Sequence, residues 1–379
     1  MIYLNHAATT WPKPSRVTEA VARAMRESPE TQYRGSSPEG NHKDSRRLCR
    51  GNLARLFGVK KPERIFFTSG ATQALNMAIL GFQSDRKRIV YTAAEHNAVL
   101  RTIYDGLGAK IAEGSCLPVK IPCDRGGYAD MEAMERSITE DTALVIANHS
   151  SNVTGAVQEI AQIGRWCRGA GACLLVDASQ SAGALPIDVD DMGIDMLAFT
   201  GHKGLYGPQG TGGLYVRSGI ALRPLLYGGT GIDSSTLVPK EPFYEVGTAN
   251  QPGIAGLNAG AEYILETGLE KIRSHEQALM ELLYRGLGEI PGVTVYGDRV
   301  PEGTALSFNL EGLRPADVGY ILAEGYGIQV RTGLHCAPLI HEYLGAARGG
   351  TVRASISYLS TEEDIRALLD AVGELAGNL

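Results

Sequence analysis

Leu174-Leu175-Val176-Asp177-Ala178-Ser179-Gln180-Ser181 passes from an apolar run into one carboxylate and then into small and polar residues. A short apolar run closed by a polar turn reads as a buried strand, here over residues 172–177. Similar runs occur at 64–68, 88–92 and 142–148, most of them separated by stretches with helical patterning. That alternation predicts an α/β fold with a mostly parallel sheet covered by helices. Upstream, Val17, Ala20, Val21, Ala24 and Met25 share one helical face, opened by Pro14-Ser15 and closed near Pro29. Downstream, a Gly- and Pro-rich stretch (227–252) leads into a long helical pattern through Ile254, Leu257, Ile264, Leu265 and Ile272, read as a bridge to a second unit. Strands expected at 305–309, 327–330 and 351–355, with helices near 315–324 and 361–375, make that unit a smaller α+β domain. The expected division is a large domain over 15–255 and a small one formed by 1–14 and 256–379.

The chain has 379 residues, with 36 Lys and Arg against 42 Asp and Glu. That length favours about two domains, and the absence of a long basic run argues against nucleic acid. No apolar run approaches the roughly 18 residues of a membrane span, and the segment Met1 to Asn5 does not read as a signal peptide. The expected setting is the cytoplasm, and the expected ligand a small molecule. Six cysteines (49, 116, 123, 167, 173 and 336) show no Cys-x-x-Cys spacing, so neither a zinc site nor a disulfide framework is expected.

Strand ends are where an open α/β sheet presents its ligand-binding groups. The first runs into Thr68-Ser69-Gly70-Ala71-Thr72 and a helix, a setting that offers unpaired N–H groups to a phosphate or is ordinary N-capping. The second gives Glu95-His96-Asn97, and a lone histidine there is more often structural than catalytic. The third places Asn148, His149, Ser150, Ser151 and Asn152 in one loop. The fourth delivers Asp177, whose burial requires a cationic partner, a metal or a protonated ring nitrogen. Both Gly-x-Gly-x-x-Gly after the first strand and Gly-x-x-x-x-Gly-Lys-Ser/Thr are missing. That disfavours nicotinamide and nucleoside-triphosphate readings.

Beyond Asp177 lies Phe199-Thr200-Gly201-His202-Lys203-Gly204-Leu205-Tyr206, a lysine set among Gly, Thr, His and aromatics. A lysine to form an imine, a carboxylate to keep a pyridine nitrogen protonated and a phosphate cradle at a helix N-terminus are together what pyridoxal 5'-phosphate (PLP) requires.

In this order, Ser69-Gly70-Ala71-Thr72, Glu95-His96, Asn152, Asp177-Ala178-Ser179-Gln180-Ser181, Gly201-His202-Lys203 and Arg331-Thr332-Gly333-Leu334-His335-Cys336-Ala337 resemble the class V aminotransferase family, and within it the cysteine desulfurases. The resemblance runs from Tyr3 to about Tyr358. Its last string is similar to the Suf-type desulfurases and selenocysteine lyases. It implies the PLP-dependent transferase fold type I, with Lys203 as the Schiff-base lysine, Asp177 on the pyridine nitrogen and His96 stacked on the ring. Gln180 would meet the phenolic oxygen, and Asn152 would lie between that oxygen and the substrate carboxylate. Ala71, Thr72, Thr200 and His202 would hold the phosphate, joined by Thr248 from the second subunit of a homodimer. Arg353 would grip the substrate carboxylate, with Arg331 as runner-up.

The implied reaction moves sulfur from L-cysteine to Cys336 as a persulfide and releases L-alanine, with a sulfur-acceptor protein and iron-sulfur cluster assembly downstream. A thiolate is needed, so His335 or Arg331 beside Cys336 would assist. The competing reading of Cys336 is one more small buried hydrophobe. Asn5-His6 replaces the family's more usual Asp followed by Asn or Ser, Thr200 stands where Ser is common, and Gly204 is an extra residue. A selenocysteine lyase, another β-eliminating lyase and a non-catalytic scaffold are the alternatives.

Overall fold

The computed structural model describes residues 1–27, 45–229, 237 and 244–378. Its strands are β1 (Ile2–Tyr3), β2 (Ile65–Thr68), β3 (Arg88–Thr92), β4 (Leu117–Ile121), β5 (Thr142–Asn148), β6 (Cys173–Asp177), β7 (Met196–Thr200), β8 (Gly212–Val216), β9 (Val293–Val295), β10 (Ala305–Leu310), β11 (Ile328–Gln329), β12 (Arg331–Gly333) and β13 (Thr351–Ser355). The helices are α1 (Ser15–Arg26), α2 (Ser45–Phe57), α3 (Ala71–Gly81), α4 (Asn97–Arg101), α5 (Gly108–Ala112), α6 (Met131–Ser137), α7 (Ile160–Ala170), α8 (Gln251–Thr267), α9 (Leu269–Gly288), α10 (Pro315–Tyr326), α11 (Pro338–Tyr343) and α12 (Glu362–Gly377).

Seven strands form one sheet in the order β2-β8-β7-β6-β5-β3-β4, parallel from β7 to β4 and antiparallel where β8 meets β7 and β2. Both faces are covered, so β5 to β8 are buried throughout. The period-two alternation of side chains divides them between two cores. Val145, Leu174, Val176, Leu197 and Phe199 pack on one face, and Leu144, Ile146, Leu175, Met196 and Ala198 on the other. A third core surrounds the sheet β12-β13-β10-β9 and takes in Leu4 near the N-terminus.

Several strands escaped the sequence reading for local reasons. Pro118 sits in β4, a place proline tolerates because this strand lies at the edge of the sheet. β8 opens on Gly212-Gly213, where any Cβ would strike Gly70 or Phe199. The long helix expected through residues 254–272 is two, because Gly268 turns the chain at φ 88° between α8 and α9. The single strand expected over 327–330 also divides. β11 pairs in parallel with β1, and β12 pairs with β13, placing Arg331 opposite Arg353. The expected helix end near Pro29 lies outside the described residues, as does much of the 227–252 stretch.

Small residues bring the lysine turn into register. A Cβ at Gly260 of α8 would lie 2.1 Å from the Leu205 carbonyl oxygen, and one at Gly204 would lie 2.6 Å from that of Ala182. Position 204 is thus a glycine because its backbone meets another backbone directly. Gly260→Ala should push α8 off this turn, costing about 1–3 kcal/mol of stability. Urea denaturation monitored by circular dichroism measures the loss, and unchanged stability would show that the turn yields freely.

Candidate active site

The C-terminal ends of β5, β6 and β7 open on a cavity of about 430 Å³. Asp177, 5% exposed, closes β6 beside Asn148 of β5. Its Oδ1 accepts from the Ser179 backbone N–H at 2.9 Å and from the Ser179 hydroxyl. β7 ends at Thr200, and the turn beyond it is held at its backbone. The His202 carbonyl accepts from Lys13 Nζ at 2.7 Å and Thr9 Oγ1 at 3.1 Å, while the Lys203 carbonyl accepts from Thr10 Oγ1 at 3.0 Å and Tyr206 N at 2.8 Å. With its main chain fixed, Lys203 presents its amine to the cavity. Burial lowers its pKa to about 8, against the opposing pull of Asp177. Near neutral pH this amine holds a nucleophilic fraction that an exposed lysine lacks.

Anion-binding groups gather elsewhere in the cavity wall. α3 begins at Ala71 with Gly70 as its N-cap, and glycine supplies no side-chain oxygen to the first N–H groups. Ala71, Thr72 and Gln73 line the cavity together with Thr200 and His202. His202 is held neutral, its pKa lowered to about 4 by burial first and then by Lys203 and Lys13, and its buried Nδ1 has no partner. Open helix N–H groups beside an unpartnered imidazole nitrogen fit a phosphate, and the lysine and carboxylate fit an aldehyde and a ring nitrogen. The residues present therefore suit PLP.

His96 caps α4, its Nδ1 accepting from Ala98 N at 3.0 Å. In the neutral ring the proton consequently resides on Nε2, and burial favours that neutral form. Gln180 lines the same cavity and donates Nε2 to the Ala7 carbonyl at 3.1 Å. Asn152 links three parts of the site. It lines the cavity, its Nδ2 donates to the His335 carbonyl at 2.6 Å, and its own carbonyl accepts from Arg353 Nη1 at 2.8 Å.

Arg353 is wholly buried. Its other contact is Nη2 to Asn5 Oδ1 at 3.0 Å, and Nε has no partner. Among the described residues no carboxylate pairs with it. Burial, reinforced by Arg331 across the strand pair, lowers its pKa to about 9. A buried guanidinium held only by neutral oxygens is set to receive an anion.

Arg331 also lines the cavity, and its Nη2 lies 3.3 Å from Cys336 Sγ. Cys336 itself opens on a neighbouring cleft of about 390 Å³ that shares Thr72, His96 and Ala98 with the first and has Arg101 and Asp105 in its wall. The Cys336 loop is held at its backbone. His335 and Cys336 both take left-handed backbone (φ 50° and 61°), and the Cys336 carbonyl accepts from Asn97 N at 2.7 Å. The His335 ring turns to Thr351, with Nε2 2.9 Å from Oγ1, and burial holds it neutral with a pKa near 2. That leaves Arg331 as the cation on the sulfur. Thr248 stands apart from the others, exposed on a third cavity that includes Arg50 and Glu245 and meets the first at Ser69, Gln73 and Gly210.

Sequence reasoning missed the contributions of Ala7, Ala8, Gln209 and Gly210 to the cavity wall and that of Asn5 to Arg353. Only the departure at Asn5-His6 gave a signal for the last of these.

The chain matches the family model described as Aminotransferase class-V over residues 2–368. It is 34% identical to a probable cysteine desulfurase of Methanothermobacter thermautotrophicus, an alignment covering 99% of this chain and 95% of the relative. It is 32% identical to the cysteine desulfurase CsdA of Escherichia coli, with 98% and 93% covered. The apo structure of a cysteine desulfurase from Thermococcus onnurineus superposes with a TM-score of 0.88 at 33% identity, covering all of this chain (100%) and 95% of that one.

Cys49, Cys116, Cys123, Cys167 and Cys173 are buried, and burial pushes each of these thiols up, whereas Cys336 is partly exposed beside a guanidinium. Iodoacetamide at pH 8 should therefore modify Cys336 first in the folded protein, and Arg331→Gln should slow that reaction several-fold. Peptide mass spectrometry reads both results. Prior labelling of any other cysteine would contradict the assignment of an accessible, cation-supported sulfur.

Proposed function

The chain belongs to the class V aminotransferase family, and we propose that it is a PLP-dependent cysteine desulfurase that takes sulfur from L-cysteine onto Cys336 and releases L-alanine. The observation that carries this reading is the convergence of Lys203, Asp177 and the open N-terminus of α3 on one cavity, with an Arg331-bound cysteine on the cleft beside it. PLP supplies an aldehyde that condenses with amines and a protonated ring that withdraws electrons from the amino acid it carries.

The chain's own residues then divide the work. Ala71, Thr72, Thr200 and His202 would hold the phosphate, Asp177 would keep the ring nitrogen protonated, and Gln180 would meet the phenolic oxygen. His96 would pack on the ring, with Nε2–H free to donate because Nδ1 is occupied by the helix cap. Lys203 would anchor the cofactor through its amine and serve as the base for the α-proton of the substrate. Arg353 grips the substrate carboxylate with Asn152 beside it, and the scarcity of negative charge around Arg353 supports this pairing. Arg331 stabilises negative charge on Cys336, whose sulfur attacks that of the substrate. The S–S bond forms as the Cβ–S bond breaks, the electron pair of the broken bond stays with the carbon skeleton, and Cβ takes a proton to give alanine.

The cleft beside Arg101 and Asp105 gives a sulfur acceptor access to Cys336 from outside the cofactor cavity. In our reading that acceptor is a protein serving iron-sulfur cluster assembly. A homodimer completes the phosphate site with Thr248 of the second copy, whose exposure beyond its own cavity supports the exchange. No helix among the described residues is long and apolar enough to cross a membrane, and we place the protein in the cytoplasm.

Purified protein given limited L-cysteine should carry one extra sulfur on the peptide containing Cys336, by mass spectrometry. Cys336→Ser should lose most alanine release from cysteine while Lys203→Ala loses all of it. Full turnover by Cys336→Ser would favour an eliminating lyase, as would activity confined to selenocysteine.

The carboxylate site yields a separate expectation. Arg353→Gln should raise KM for cysteine at least roughly tenfold, since hydrogen bonds to charged groups are worth about 1.5–3 kcal/mol. An unchanged KM would remove Arg353 from the carboxylate site.

A further inference from the structure

Glu95 is fully buried at the turn between β3 and α4, one residue before His96. Oε1 accepts from Thr92 Oγ1 at 2.6 Å and from the Asn148 backbone N–H at 2.9 Å. Oε2 is enclosed and has no partner, and among the described residues no lysine, arginine or histidine forms an ion pair with this carboxyl. Asn148 has its own enclosed, unpartnered acceptor in Oδ1, because its Nδ2 donates to the Ala94 carbonyl at 2.8 Å. It is also the cross-strand partner of Asp177 and lines the cofactor cavity. Two enclosed acceptors lacking a donor are therefore tied to a site that already buries one carboxylate.

We propose that Glu95 stands in the folded protein as a neutral carboxylic acid, a positioning residue that clasps the ends of β3 and β5 around the cofactor site and leaves Asp177 as the negative charge there. An ionised Glu95 would put a second anion behind the ring nitrogen's partner, with no cation to offset it. The neutral acid supplies the same two acceptor contacts through Oε1 and a donor at Oε2 where the structure has none. The clasp fixes Asn148 and the turn that carries His96, so it acts on the cofactor through its neighbours rather than by contact.

Burial, and then the charge of Asp177, push the Glu95 carboxyl up to about 8 from its ordinary 4.5. Among the described residues Tyr91 of β3, hydrogen-bonded to Tyr104 and raised by its own burial, also feels the charge of this carboxyl. Because the folded value lies above the unfolded one, the stability linked to this proton is complete below about pH 4.5 and is lost as pH rises through about 8.

The inference rests on the PLP reading of the cavity, but its tests read the carboxyl itself. Infrared difference spectra of the cofactor-loaded protein at pH 6 should show a protonated-carboxyl stretch that Glu95→Gln removes. The advantage in Tm of Glu95→Gln over the parent should grow between pH 6 and pH 9, since glutamine keeps the neutral shape and cannot ionise. Glu95→Gln should keep cofactor affinity within about twofold, while Glu95→Ala, which strands the Thr92 and Asn148 donors, should weaken it roughly tenfold.

A carboxyl band untouched by Glu95→Gln, a Tm gap independent of pH, or cofactor loss equal in the Gln and Ala variants would each overturn the proposal. Should Glu95→Gln fail to fold, Asp177→Asn provides the second arm. Removing that charge should move the titration of the band to lower pH, and an unmoved band refutes the coupling. Should the parent bind no PLP, the same infrared and Tm measurements on the protein without cofactor still decide the state of Glu95.

Discussion

Charge enclosed at the C-terminal ends of β5, β6 and β7 is the constraint on which the site depends. Asp177 and Arg353 are buried and Lys203 half-buried, none of them in an ion pair among the described residues, and Arg331 faces Arg353 across β12 and β13. In a low-dielectric setting such groups respond strongly to one another. The amine becomes partly neutral, the histidines stay uncharged, and the guanidinium is left seeking an anion. A ligand with a phosphate, a ring nitrogen and a carboxylate-bearing partner answers each of these demands. The fold stores this imbalance by surrounding it with packed strands.

Backbone contact makes that storage specific. Gly204, Gly212 and Gly260 lie where a Cβ would fall 2.1–2.6 Å from a neighbouring backbone oxygen, so the lysine turn meets α8, and β8 meets β7, through main chain. The same economy governs the cysteine loop. Two successive residues in left-handed backbone are costly, and hydrogen bonds from Asn97 and Asn152, together with those the His335 ring donates to Thr351, compensate for them. The resulting sulfur is fixed, with Arg331 on one side and the outer cleft on the other.

Much of this was legible in the chain. Apolar runs at spaced intervals implied a mostly parallel α/β sheet, and the polar residues following each run named most of the cavity wall. Composition placed Lys203 and Asp177 in unusual company before any geometry was known. The reading weakened wherever meaning depended on a partner distant in sequence. Pro118 masked an edge strand, Gly268 broke a periodicity that otherwise ran on, and the residues around Arg331 belonged to two different sheets.

By itself the sequence determined the class of fold, the order of the chemical groups and the kind of cofactor they suit, because strand and helix periodicity and the residues at strand ends are local properties of the chain. Tertiary structure alone decided which groups meet and in what state of charge. Asn5 reaches Arg353 from the opposite end of the chain, His335 turns from the sulfur to Thr351, and Arg331 takes its place. Burial left Glu95 with one clasped oxygen and one bare one. Such outcomes depend on desolvation and on contacts between distant segments, and those exist only once the chain has folded.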